Sequence, residues 1–214
     1  MSELSEKKVT LVAVSKTKPV EDIKELYDLG HRDFGENYVQ ELVQKAEQLP
    51  KDIRWHFIGH LQTNKVKHIA SFVQLIHGID SLKLLREINK QGEKHSRIID
   101  CLLQVHIAQE ETKFGLNEKE LDEILNYVSD ALQTPDTSNV RICGLMGMAS
   151  LTDDMEKVRN EFIVLKTLFN KLRTQNSELR TLSMGMSGDY KIAVEEGSNM
   201  VRIGSLLFGE RTAD

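Results

Sequence analysis

Eight times along this chain a short apolar run gives way to a stretch with helical periodicity, and that alternation limits the fold more than any other feature. The first run, residues 9–15 (VTLVAVS), is almost continuously apolar, as a parallel strand buried on both faces must be. Further strands are predicted over residues 34–35, 55–58, 72–77, 98–107, 140–145, 181–182 and 200–203. Between them the pattern predicts helices. Pro19 suits a first helical position with Glu21 and Asp22 behind it, and Gly30 suits a stop. The others cover residues 38–48, 64–71 (weakly), 81–94 with Ser81 as N-cap, 117 to about 132 with Asn117 and Glu120 as a capping box, 153–174 and 187–196, and a short last helix begins at Leu206. Strand–helix alternation repeated eight times predicts a single α/β domain over residues 1–214, a (β/α)8 TIM-type barrel. An open doubly wound sheet would give the same alternation. The stretch 133–139 (QTPDTSN) reads as the one long loop.

Composition narrows the function classes. A net charge of −5, with Lys and Arg scattered, carries no electrostatic footprint for nucleic acid. No apolar run approaches the ~20 residues that cross a bilayer, and residues 1–8 lack the apolar core of a secretory signal. Cys101 and Cys143 stand singly in apolar runs, as buried small hydrophobes do. These features point to a soluble cytoplasmic protein. His60, His77 and His106 have no metal-ligand spacing, and GxGxxG, Walker, HExxH and GxSxG motifs are absent.

In a barrel the chemistry sits at the C-terminal ends of the strands. There the chain places Ser15-Lys16, Gly35-Glu36-Asn37, the stretch from Ser183 to Ser187, and Arg202 followed by Gly204-Ser205. Val12, Val14 and Lys16 share a face. If it faces inward, Lys16 stands on the top layer of a packed core, where an amine partly withdrawn from water becomes a nucleophile. A strand-end lysine reaching for water fits the same position. Lys18 has the same parity but lies further out, where solvent is expected. The Gly- and Ser-rich loops after strands seven and eight suit a phosphate, with Ser187 as a helix N-cap, Gly204 allowing close approach and Ser205 adding a hydroxyl; they also suit plain turns. Met200, Arg202 and Gly204 share a face, and an inward arginine requires a ligand acceptor or a carboxylate. Met146 and Met148 belong beside the pocket or in the core.

Six motifs in order then resemble one family. AVSKTKP (13–19), FGENYVQE (34–41), WHFIGHLQTNK (55–65), GLMGM (144–148), SMGMSGD (183–189) and MVRIGSLLFG (200–209) are similar to motifs of the pyridoxal phosphate homeostasis proteins. The resemblance implies a barrel like that of alanine racemase (fold type III) and pyridoxal 5'-phosphate (PLP) held as a Schiff base on Lys16. It implies Arg202 opposite the pyridine nitrogen, Ser187, Gly204 and Ser205 on the phosphate, and Asn37 near the ring. The candidate cofactor-binding set is Lys16, Asn37, Met146, Ser183, Ser187, Arg202, Gly204 and Ser205, with no catalytic residue and no metal ligand.

Three functions compete. The first is a non-catalytic PLP carrier, acting as a monomer and handing PLP to apo-enzymes that require it. The second is a PLP-dependent racemase-like enzyme. Racemases of this fold add a second domain and an acid/base tyrosine from a partner subunit, for which 214 residues leave no room and Tyr27, Tyr38, Tyr127 and Tyr190 offer no replacement. The third is a PLP-free lyase, which would not need Arg202 or the Ser187 loop. An arginine opposite the ring nitrogen disfavours ring protonation and so argues for the first.

Overall fold

The computed structural model describes residues 2–108, 115–131, 139–174 and 176–209. Among these, eight parallel strands close into a barrel in sequence order: β1 (Thr10–Val14), β2 (Asp33–Glu36), β3 (Arg54–Phe57), β4 (Leu75–Ile79), β5 (Ile99–Gln104), β6 (Val140–Met146), β7 (Thr181–Ser183) and β8 (Met200–Ile203). The barrel closes where β1 pairs with β8, placing Val12 beside Arg202. The alternation therefore makes a barrel and not an open sheet. A short α1 (Ser2–Glu6) precedes β1. The outer layer is α2 (Val20–Asp28), α3 (Val39–Gln48), a 3-10 turn (Thr63–His68), α4 (Leu82–Lys94), α5 (Glu118–Ala131), α6 (Met155–Arg173), α7 (Tyr190–Glu195) and α8 (Ser205–Phe208).

Two apolar layers follow from this arrangement. The larger lies between strands and helices and includes Phe34, Phe57, Leu85 and Phe162, all essentially inaccessible to water. The smaller gathers Val12, Leu75, Leu102, Cys143, Met146 and Met200. These come from strands that are not all neighbours in the sheet, so their contact marks the barrel interior. Cys101 and Cys143 are both buried free thiols.

Several caps form as predicted. Ser81 Oγ accepts from the Leu84 N–H at 3.3 Å. Asn117 and Glu120 exchange two hydrogen bonds of 3.0 Å, a reciprocal capping box. Other boundaries move. The fourth strand runs over Leu75–Ile79 and not 72–77, because Phe72 and Val73 bond back to the Ile69 carbonyl and finish the 3-10 turn. A continuous apolar run carries no mark of where turn ends and strand begins. The long helix expected over 153–174 runs from Met155 to Arg173, with Asp154 as its cap. The helix expected from 187 begins at Tyr190, and Ser187 lies in the turn before it. The expected helix end near Leu132 and the loop over 133–138 lie outside the described residues.

Candidate functional site

The strand ends open into a cleft of about 480 Å³ at the C-terminal mouth of the barrel. Val14 and Lys16 line it from β1 and the residues after it, Asn37 from the end of β2, Met148 from the loop after β6, Ser187 and Gly188 from the loop after β7, and Arg202, Gly204 and Ser205 from β8 onward. Strand parity accounts for the convergence. Val12 and Met200 lie in the interior layer, so the residues two and four positions on along each strand climb the same inner wall to the mouth.

Lys16 is half-buried. Its two neighbours in sequence are fastened by a network that local pattern did not reveal. Lys45 is buried and donates to the Ser15 carbonyl at 2.7 Å, to Glu36 Oε1 at 2.8 Å and to Glu41 Oε1 at 2.7 Å. Ser15 Oγ donates to Glu36 Oε1 at 2.6 Å. The Thr17 N–H donates to Glu41 Oε1 at 2.6 Å. Thr17 has φ +63°, a left-handed conformation that costs a β-branched residue roughly 1–2 kcal/mol. The Glu41 bond holds that turn and with it the direction in which Lys16 leaves the strand. One signal was available in the sequence: Lys45 shares a helical face with Leu42 and Leu49, both buried.

Glu36 is inaccessible to water, and burial pushes its carboxyl up against the opposing pull of Lys45. Its Oε2 and the Oδ1 of Asn37 are buried without a hydrogen-bond partner. Asn37 lines the cleft, so its orphan oxygen is an acceptor available to a bound group. Lys18, expected in solvent, is half-buried and donates to the Phe208 carbonyl at 2.7 Å, tying the β1 loop to the end of α8.

Arg202 is 4% exposed. Among the described residues its hydrogen-bond partners are neutral rather than the carboxylate weighed from the sequence, although the charge of Asp189 acts on it through space. Nη1 donates to the carbonyl of Ser183 at 2.9 Å and to its hydroxyl at 2.7 Å, and Nη2 donates to the Gly147 carbonyl at 3.1 Å. Burial pulls the guanidinium down to about 10, which leaves it charged near neutral pH. A cation fixed at the cleft floor by neutral acceptors is turned toward whatever anion or lone pair the cleft receives.

Ser187 does not cap a helix. Its hydroxyl accepts from the Gly204 N–H at 3.3 Å, joining the last two loops, while Asp189 Oδ1 accepts from the Met186 N–H at 2.5 Å and closes the turn. A Cβ on Gly204 would stand 3.2 Å from the Val14 carbonyl, so the backbone is packed tightly where a side chain would intrude. Ser205 is exposed at the first turn of α8, whose leading N–H groups have no partner within the helix.

Two residues of the candidate set lie off the cleft wall. Met146 is 1% exposed and belongs to the interior apolar layer; Met148 lines the cleft in its place. Ser183 is fully buried beneath Arg202. The charged groups on the wall, among the described residues, are Lys16, Lys18 and Arg202. An amine, an orphan acceptor, a buried cation and a Gly/Ser loop pair suit a small aldehyde carrying an aromatic nitrogen and a phosphate, which is the chemistry of PLP.

Comparisons with known proteins agree. The family model of the alanine racemase N-terminal domain matches residues 1–212. A pyridoxal phosphate homeostasis protein of Aquifex aeolicus is 45% identical over 203 residues, covering 94% of this chain and 86% of that protein. The structure of PipY from Synechococcus elongatus with PLP bound superposes with a TM-score of 0.85 at 34% identity, over 97% of each chain. An alanine racemase of Clostridium difficile matches with a TM-score of 0.76 over all of this chain and 54% of that one, at 17% identity, and this likeness speaks to the fold alone.

Proposed function

Since this chain belongs to the pyridoxal phosphate homeostasis protein family, built on the alanine racemase N-terminal domain, we propose that it binds PLP in the mouth of the barrel with Lys16 as the covalent anchor. It is a PLP-binding protein of PLP homeostasis. The observation that carries the site assignment is the convergence of Lys16, Asn37, Arg202 and the Ser187–Gly204 pair on one cleft.

PLP supplies an aldehyde that condenses reversibly with amines and a ring that withdraws electrons. The chain's own residues divide the work of holding it. Lys16 offers the amine, on a backbone locked by Lys45 and Glu41. Ser187, Gly204 and Ser205 take the phosphate through hydroxyl and main-chain groups. Asn37 offers its unpartnered oxygen to the ring side of the site. Arg202, staying charged near neutral pH, would lie on the ring-nitrogen side of the bound group and would disfavour a proton there.

This reading assigns binding without robust catalysis. A charged arginine at the ring nitrogen weakens the ring as an electron sink. Beyond the amines of Lys16 and Lys18, the described wall offers no imidazole, carboxylate, phenol or thiol to move a substrate proton. The protein is expected to act as a monomer, with PLP-requiring apo-enzymes as the recipients. The free thiols of Cys101 and Cys143 suit the cytosol.

The test is borohydride reduction of the PLP-loaded protein followed by peptide mapping. The expected product is a pyridoxyl group on Lys16, absent in Lys16→Ala, whose preparations should also lose the yellow colour. A pyridoxyl group on another lysine would refute the assignment. Steady racemisation at about 1 s⁻¹ or faster would refute the non-catalytic reading.

A further inference from the structure

A single file of hydrogen bonds runs inside the barrel from the cleft to the opposite mouth. At the cleft end, Arg202 Nη1 donates to Ser183 Oγ at 2.7 Å. Ser183 Oγ lies 3.2 Å from His77 Nδ1. His77 Nε2 lies 3.0 Å from His56 Nδ1. His56 Nε2 lies 3.0 Å from Asp33 Oδ1, and Arg54 grips the same carboxylate. Asp33, Arg54 and His56 line a separate cavity of about 260 Å³, together with Thr10, Arg180 and Thr181, which begin or precede their strands. The file therefore joins the two mouths through residues of β8, β7, β4, β3 and β2.

Chemistry at the two ends determines its direction. A guanidinium only donates, and an ionised carboxylate only accepts. Burial pushes the Asp33 carboxyl up, but hydrogen bonds from Arg54 and His56 outweigh it and hold the group well below the usual carboxylate range. Because Ser183 Oγ accepts from Arg202, its own proton is free to point at His77 Nδ1. His77 then carries its proton on Nε2 and donates to His56 Nδ1, and His56 carries its proton on Nε2 and donates to Asp33. In this arrangement every donor has one acceptor, and both imidazoles are neutral. Burial above all, with the charge of Arg202 adding to it, pushes His77 well below its ordinary value, in keeping with a neutral ring. The opposite polarity would aim His77 Nδ1–H at Ser183 and displace the hydroxyl proton from its acceptor.

Two histidines and a serine in a barrel core are costly unless fully satisfied, and an apolar trio would pack there as well. We propose that His77 and His56 are positioning residues for Arg202: acting through Ser183, they hold the guanidinium at one place and orientation on the cleft floor, from which it meets the bound cofactor. The proposal rests on the reading that Arg202 faces PLP.

Nitrogen NMR of the histidine-labelled apoprotein tests the file without any ligand. Near neutral pH both rings should be neutral and carry the proton on Nε2. A ring protonated on Nδ1, or on both nitrogens, overturns the proposal. PLP-loaded Ser183→Ala and His77→Phe then test the consequence. Both should still yield the pyridoxyl-Lys16 peptide after reduction, but with a displaced visible absorption band and a PLP Kd raised about tenfold, as loss of one charge-assisted hydrogen bond implies. Should His77→Phe fail to fold, Ser183→Ala decides alone. A Ser183→Ala protein with the parent's spectrum and affinity overturns the inference. Absence of any adduct on Lys16 in the parent protein would instead overturn the site assignment.

Discussion

The ammonium of Lys45 stands 2.8 Å from Oε1 of Glu36, with both groups out of water and the Ser15 carbonyl and Glu41 completing its shell. The pair forms the support beneath Lys16, since it holds the peptide group on one side of that residue directly and the other through Glu41 and Thr17.

Removing one partner of a buried pair leaves the other uncompensated. Lys45→Met should cost about 3–5 kcal/mol in chemical denaturation. The double variant Lys45→Met/Glu36→Gln should recover a large part of that loss, because the fully buried charge of Glu36 goes with its partner and only the part-exposed carboxylate of Glu41 is left without Lys45. A single variant costing under about 1 kcal/mol would show that the pair is not the buried unit described.

The two methionines of the GLMGM motif should separate stability from binding. Met146 is in the interior layer, and Met146→Ala should cost about 2–5 kcal/mol. Met148 is half-buried on the cleft wall, and Met148→Ala should cost about 1 kcal/mol or less while loosening PLP more than Met146→Ala does. Melting curves of the apoproteins and equilibrium dialysis against PLP measure the two effects, and the reverse ranking would contradict the placement.

Gly59 packs against the strand end that carries Asn37. A Cβ there would run into the Asn37 main-chain carbonyl. Gly59→Ala should therefore cost about 1–3 kcal/mol and weaken PLP binding together, since relief of the clash displaces the cleft wall. An Ala variant as stable and as tight-binding as the parent would show that the contact yields freely.

Acid should weaken the fold in two windows. His31 and His77 are pushed below the ordinary histidine value, in each case chiefly by burial, so the unfolded chain binds their protons more readily. The stability they contribute is present above about pH 6.5 and fades as pH falls below it. Asp33 is held below its ordinary value, so its contribution is present above about pH 4 and is lost on further acidification. Melting temperatures from pH 7 down to pH 3 should fall in the parent, with a flatter limb below about pH 4 in Asp33→Asn. Parallel limbs in the two proteins would contradict the role given to Asp33.

Legible from residue order alone were the alternation that closes into the barrel, the capping box of α5, and the inner stripes Val12–Val14–Lys16 and Met200–Arg202–Gly204. Each of these follows from a period of two or of 3.6, or from residues a few positions apart, and such regularities are written locally. Tertiary structure alone decided where β4 begins, since one apolar run serves both turn and strand. It alone made Ser187 a bridge to Gly204 rather than a cap, turned Lys45 inward beneath Lys16, and placed Met148 rather than Met146 on the cleft wall. It also aligned Arg202, Ser183, His77, His56 and Asp33 in one file, although Ser183 and His77 are 106 residues apart. Hydrogen bonds between distant segments depend on barrel closure and strand register, and no local pattern of residue types records them.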